Sequence, residues 1–211
     1  MITNRLLTNI DREHYSKLID KMTELVPDMM SRKIVLANVQ QAFILDAVGE
    51  EMSTYPGKEI LCIGSFEDTA SACLAEFDAE VVNIDPSTNY DLHTFKQMFM
   101  GYEYGIIFST SVIEHVPDDE EFIQDICDML EPGGLAVLTC DYNNSYKVGD
   151  KLPYSDLRFY TENDLKFRLG KIVHKNNCDF IDTPDWSGEP DFTHDGCNYS
   201  FATFIFRKAS E

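Results

Sequence analysis

The sequence predicts an α/β fold: a doubly wound, mostly parallel sheet with an antiparallel last strand and an N-terminal helical cap. Three observations carry this. Short runs that are apolar throughout, EILCI (59–63), VVNI (81–84), IIF (106–108) and LAVLT (135–139), suit strands covered on both faces. Segments with apolar residues at helical spacing lie between most of these runs, as a parallel sheet requires. The last two apolar runs, 179–183 and 199–207, have no helix between them, so the final strand can enter antiparallel.

Each element follows in chain order. Tyr15, Leu18, Ile19, Met22, Leu25 and Val26 form one helical stripe, broken by Pro27. Ile34, Val35, Val39, Phe43, Ile44 and Val48 form a second, expected to end near Gly49. Together they make residues 1–56 a helical cap, and residues 57–211 the core. After the 59–63 strand comes the turn Gly64-Ser65-Phe66-Glu67-Asp68, with Asp68 or Thr69 capping a helix through Phe77. Asp85-Pro86 ends the second strand. The 90–102 segment is weakly patterned. Phe122, Ile123, Ile126, Met129 and Leu130 mark an amphipathic helix with Asp118 to Glu121 favourably placed at its N-terminus, stopped by Pro132-Gly133-Gly134. Tyr154 to Tyr160 reads as a loop, and Thr161 caps a helix with Asp164 three positions on. A stretch of about sixteen residues, TPDWSGEPDFTHDGCN, then separates the last two strands; its 184–198 part is the expected substrate loop.

Composition narrows the function. Hydrophobic residues make up 44% of 211, which allows a sizeable core. Acids outnumber bases 37 to 17 for a formal charge of −20, and no basic patch stands out, which disfavours nucleic acid. The six cysteines contain no CxxC pair, and most sit in apolar runs, as reduced core thiols do; neither a zinc site nor any other metal set is indicated. No apolar run approaches ~18 residues and the N-terminus is polar, so neither membrane insertion nor a signal peptide is expected, and a cytoplasmic location is the expectation.

Gly64 follows a buried strand and Asp85 ends the next, 21 residues on. That is the spacing of a nucleotide-type site, a tight turn followed by a carboxylate for ribose hydroxyls. The glycine fingerprint is incomplete, however. Phe66, Glu67 and Asp68 would obstruct or repel a pyrophosphate, whereas a cofactor with a ribose, no phosphate and a cationic centre suits an acidic turn.

With these residues the chain resembles the class I methyltransferases that use S-adenosylmethionine, particularly the small "type 11" group. EILCIG (59–64), NIDPS (83–87), FSTSVIEHVPDDEEF (108–122) and LEPGGLAVLT (130–139) match the motifs of the first, second, fourth and fifth core strands. The similarity covers about 57–142 and, more loosely, YSFATFIFRK at the end. It implies a Rossmann-like methyltransferase fold, with Gly64, Ser65 and Phe66 against the methionine part of the cofactor, Asp85 and Pro86 at the ribose, and Ser109, Thr110 and Ser111 along its border. S-adenosylhomocysteine would be the product. The chain departs from the pattern at Cys62, where an acid is usual, at Phe66 and Asp68, where glycines are usual, and in the short stretch after Asp85; Asp91-Leu92-His93 could supply the adenine contact.

The acceptor side lies beyond the fourth and fifth strands. His115 is the candidate base for a hydroxyl, or alternatively only caps the helix that follows. Asp141 either orients His115, acts as base or forms a turn; Glu114 either contacts substrate or hydrogen-bonds structurally. Arg158 and Tyr160 precede a capped helix, and Arg158 could hold acceptor hydroxyls or neutralise the surface. Trp186, Asp191 and His194, with Phe192, could stack on and hydrogen-bond a sugar, or Trp186 and Phe192 could pin the loop to the core.

The leading expectation is a methyltransferase acting on a hydroxyl of a neutral sugar, a deoxysugar or glycan. The C-terminal half resembles sugar-modifying methyltransferases that neighbour or fuse with glycosyltransferases, including those of algal large DNA viruses, which would place it in a host cytoplasm and beside such partners. A small-metabolite nitrogen or carboxylate acceptor is the second expectation and a degenerate binding module the third. A nicotinamide oxidoreductase is distant, because neither a Tyr-x-x-x-Lys pair nor the full glycine fingerprint occurs. A divalent metal beside a sugar diol is conceivable, but no ligand set specifies one.

Overall fold

A computed structural model describes residues 3–210. Its centre is a sheet in the order β1-β8-β5-β4-β2-β3, built from β1 (Leu6–Leu7), β2 (Ile60–Ile63), β3 (Val81–Ile84), β4 (Tyr104–Thr110), β5 (Leu130–Tyr142) and β8 (Cys197–Lys208). Strands β3, β2, β4 and β5 run parallel, with Ile60 opposite both Val81 and Ile106. Strand β8 returns antiparallel along β5, from Tyr142 opposite Ser200 to Leu135 opposite Arg207. Two short strands, β6 (Cys178–Phe180) and β7 (Phe192–His194), also pair with β8.

The apolar strand runs explain the layers. Leu61, Ile63, Ile107, Ala136, Leu138, Phe204 and Phe206 face one core, shared with α6 (Leu92–Met98), α7 (Asp119–Met129) and the helix from Asp164 through α8 (Gly170–Lys175). Their neighbours Ile60, Cys62, Ile106, Phe108, Val137, Phe201 and Ile205 face the other, shared with α2 (Ser16–Leu25), α4 (Asn38–Thr54) and α5 (Thr69–Glu76). Alternate side chains of one strand thus serve both layers. Two short helices, α1 (Asn9–His14) and α3 (Pro27–Met30), flank α2. Asp68, Asp91 and Asp118 cap α5, α6 and α7 by accepting from the backbone N–H three residues on. The Thr161–Asp164 capping pair forms as well, with Thr161 Oγ1 2.7 Å from Asp164 Oδ2.

Several boundaries differ from expectation. Gly49 does not end the second long helix; α4 continues to Thr54, and a Cβ added at Gly49 would meet nothing within 4 Å. Helix α7 ends at Met129, before Pro132, and the chain passes directly into β5; Pro132 to Gly134 instead form an irregularity where the β4–β5 register jumps from Tyr104–Leu130 to Ile106–Leu135. The weak 90–102 segment holds α6. Leu6–Leu7 join the sheet edge, and α4 of the N-terminal region covers one sheet face.

Candidate active site

The carboxyl ends of the parallel strands open into a cleft of about 680 Å³. Its walls come from the segment before α4, the first turn of α4, the β2–α5 turn, the ends of β3, β4 and β5, and the β7–β8 hairpin. This is where an open α/β sheet binds ligands, because the strand ends diverge there and leave backbone and side chains uncovered.

Gly64 begins the site. Its φ is +76°, and a Cβ there would lie 2.2 Å from Val112 Cγ2, so only glycine brings the β2 turn this close to the β4 loop. Ile84 O accepts from the Gly64 and Ser65 amides, which fixes the turn against β3. Asp85 lines the cleft at the end of β3, accepting from the amides of Phe66 (3.2 Å) and Ser87 (2.8 Å). Pro86 lies on the floor that the main cleft shares with a smaller pocket of about 300 Å³. That pocket is walled by Ile63, Ile84, Leu92 and Val112, with Asp91 and His93 at its side. A carboxylate thus stands next to a narrow apolar slot, and the Gly64–Phe66 turn lies beside both. Asp68, where the family pattern has glycine, is buried and faces Thr110 Oγ1 (2.9 Å) and Gln41 Nε2 (3.1 Å). Burial raises its pKa, partly offset by these donors and the Ser71 amide.

Thr110 and Ser111 line the cleft; Ser111 takes φ +49°, an uncommon conformation for a non-glycine residue, held by its Oγ donating to Gln40 Oε1 at 2.7 Å. Neither Ser65 nor Ser109 lines it, and Ser109 is buried in β4. Gln40 and Gln41 are site residues that the sequence reading absorbed into an apolar helical stripe. The available signal was two adjacent amides on a helix otherwise buried all round.

On the acceptor side the structure brings Glu114, His115 and Asp141 to one wall, from a short turn at 113–115 and the end of β5. His115 Nδ1 is 3.2 Å from the Ser155 carbonyl oxygen and 3.4 Å from Asp156 Oδ1. A carbonyl oxygen only accepts, so Nδ1 of the neutral ring carries the proton and Nε2 keeps its lone pair. Asp156 was invisible in sequence, lying in a stretch read as plain loop. Glu114 is 1% exposed, and neither carboxylate oxygen has a hydrogen-bond partner. Burial pushes its pKa up to about 7. Burial and the neighbouring Glu114 raise Asp141 well above the usual carboxylate range, and burial raises Asp156 too.

The substrate residues expected further along the chain are elsewhere. Arg158 pairs with Asp119 at 2.8 Å, and the Tyr160 hydroxyl is 2.9 Å from the same carboxylate, fully buried. Burial alone would raise Asp119, but Arg168, Arg158 and Tyr160 hold it below the usual range. Trp186 is 1% exposed, stacks on Phe204 and donates Nε1–H to Thr203 O at 2.8 Å, so it pins the loop to the core. Asp191 accepts from Arg12 at 2.7 Å, tying that loop to the N-terminal helices. His194 does not line the cleft. From the loop's β7–β8 hairpin it is Phe192, with Tyr199 and Phe201 of β8, that reaches the cleft wall. Among the described residues no group of three or more His, Cys, Asp or Glu side chains is arranged to hold a metal ion, and no helix is long and apolar enough to cross a membrane.

A tight glycine turn, a carboxylate ending the next strand and an apolar slot beside both define an α/β enzyme that binds a nucleoside cofactor. The chain belongs to the methyltransferase domain family, whose pattern it matches over residues 38–176. It is therefore a methyltransferase, and S-adenosylmethionine is the cofactor of its class. Solved structures agree in fold. TehB from Haemophilus influenzae is 16% identical with a TM-score of 0.51, over 77% of this chain and 62% of TehB, so the chain spans under two-thirds of that protein. The [4+2]-cyclase SpnF is 14% identical with a TM-score of 0.54, over 90% of this chain and 95% of SpnF. The Burkholderia thailandensis 1,6-didemethyltoxoflavin-N1-methyltransferase, crystallised with 1,6-didemethyltoxoflavin and S-adenosylhomocysteine, is 15% identical with a TM-score of 0.54, over 95% of this chain and 91% of that enzyme. No curated protein matches the sequence.

Proposed function

We propose that this protein is an S-adenosylmethionine-dependent O-methyltransferase for a small, hydroxyl-rich acceptor of saccharide type. The observation that carries the reading is His115, which lines the cleft and whose Nδ1 faces the Ser155 carbonyl, so that Nε2 of the neutral ring keeps its lone pair. A hydroxyl is a weak nucleophile until a base takes its proton, and an imidazole so oriented is suited to do so. When bound, S-adenosylmethionine supplies a methyl group on a cationic sulfur. Asp85 would hold the ribose hydroxyls, the Leu92–Val112 slot the adenine, and the Gly64–Phe66 turn the methionine part. His115 Nε2 would take the proton that an acceptor hydroxyl gives up when it is methylated. Phe192 and Tyr199 line the cleft, but at 3% and 4% exposure, packed on each other and on Phe201, they back its wall as part of the core, as Trp186 does elsewhere.

The acidic wall weighs against carboxylate and phosphate acceptors through like-charge repulsion. A nitrogen acceptor that is already neutral would need no base, so replacing His115 separates the two chemistries. The test is transfer of radiolabelled methyl from S-adenosylmethionine to a panel of glycosides, with cofactor binding followed by calorimetry. Transfer to hydroxyls that disappears in His115→Ala, with S-adenosylhomocysteine binding retained, supports the proposal. Transfer to amines alone, indifferent to His115, would overturn the hydroxyl assignment.

A further inference from the structure

Glu114 is a buried acid without a donor. The residue lines the cleft, both of its oxygens lack a protein partner, and Asp156 Oδ2, behind His115, is unpartnered as well. Asp141, also on that wall, is 6% exposed. A buried carboxyl with unmet hydrogen bonds is costly, and the Asp141 carboxyl beside these two adds to the cost because like charges repel. Other buried acids here have a fixed cation or a set of donors: Asp119 has Arg158 and Arg168, Glu51 has Arg207 and Lys58, Asp11 has Arg5, and Asp68 has Thr110, Gln41 and the Ser71 amide. The acceptor wall has no fixed cation. The cleft's Arg32 and Lys33 turn instead to Glu67, at 2.6 and 4.0 Å. His115 directs Nδ1 to Ser155 and Asp156. Nor do the three acids form a ligand set for a metal ion.

We propose that the acceptor carries an ammonium group, which seats against Glu114 and Asp141 with Asp156 behind them. An ammonium brings several N–H donors and the missing positive charge at once, whereas a hydroxyl brings one donor and no charge. Carboxylates favour the protonated nitrogen, whose lone pair is occupied, so this nitrogen is a recognition handle and the methyl group goes to a hydroxyl near His115. The acceptor class is then an amino alcohol, such as an aminodeoxy sugar. This rests on the methyltransferase reading above.

The experiment uses the full chain saturated with S-adenosylhomocysteine and two matched pairs of probes: methyl glucosaminide against methyl glucoside, and 2-aminocyclohexanol against cyclohexane-1,2-diol. Calorimetry should show the amine of at least one pair bound about tenfold or more tighter than its neutral partner. In Glu114→Gln and Asp141→Asn that preference should shrink or vanish, while S-adenosylhomocysteine binds as before, which shows that the variants are folded. Equal affinity within both pairs, no binding of either amine, a preference that survives both substitutions, or the same stabilisation by magnesium chloride alone would overturn the ammonium assignment. Failure of the wild-type chain to bind S-adenosylhomocysteine would instead sink the methyltransferase reading beneath it.

Discussion

A carboxyl group sealed from water without a donor gives up its proton late, and Glu114 shows what that does to the whole fold. Its pKa rises from 4.5 to about 7 because burial disfavours the charge. Below about pH 4.5 the group is neutral folded and unfolded, and its titration does not change stability with pH. Between there and about pH 7 the unfolded chain has released the proton and the folded chain has not, so stability falls as pH rises, and it levels off above. The expected loss is on the order of 3 kcal/mol. Glu114→Gln should remove that share, so urea unfolding of the variant should change less between about pH 5 and pH 7.5. Asp141 and Asp156 act in the same direction and leave a residual slope. His115 answers to a different readout. His115→Ala should lower kcat by about 10²–10⁴-fold with the KM for S-adenosylmethionine unchanged. Gly64→Ala should fail at both levels. It places a Cβ 2.2 Å from Val112 Cγ2 at φ +76°, so it should lower the melting temperature and abolish cofactor binding.

Among the elements, the loop ahead of β7 shows how far residue type can mislead about role. A lone tryptophan flanked by acids in a long loop looks like a sugar platform, yet Trp186 is sealed against Phe204 and Thr203. Trp186→Phe keeps most of the stacking and loses one buried hydrogen bond. It should cost about 1–2 kcal/mol in denaturant unfolding and leave methyl transfer intact. A large loss of activity with unchanged stability would restore Trp186 to the substrate site. Elements with strong local signals were legible: β2, β3, β4, the Asp68 cap, the acidic start of α7 and the Thr161–Asp164 pair depend on near neighbours alone. The end of α4 and the passage from α7 into β5 were not, because packing on the sheet outweighs the weak helix-breaking preference of Gly49 and decides where Pro132 to Gly134 lie.

For the molecule as a whole, the charge of −20 is spread over a surface that binds its few cations in local pairs. The six cysteines are all free and buried, so a thiol reagent should find almost none in the native protein and six after unfolding. Rapid modification of the native chain would contradict the described core. The strand–helix alternation, the Gly64 turn, Asp85 and the Glu114-His115 pair were legible in the sequence, because each depends on local propensity or on a spacing set by one strand–helix–strand unit. Tertiary structure alone decided which polar groups meet. Gln40 and Gln41 reach Ser111 and Asp68, Asp156 comes behind His115, and Arg158 and Tyr160 turn away to Asp119. These contacts join segments far apart in the chain, and their partners are chosen by burial and charge balance in the assembled fold, which no local pattern of residues records.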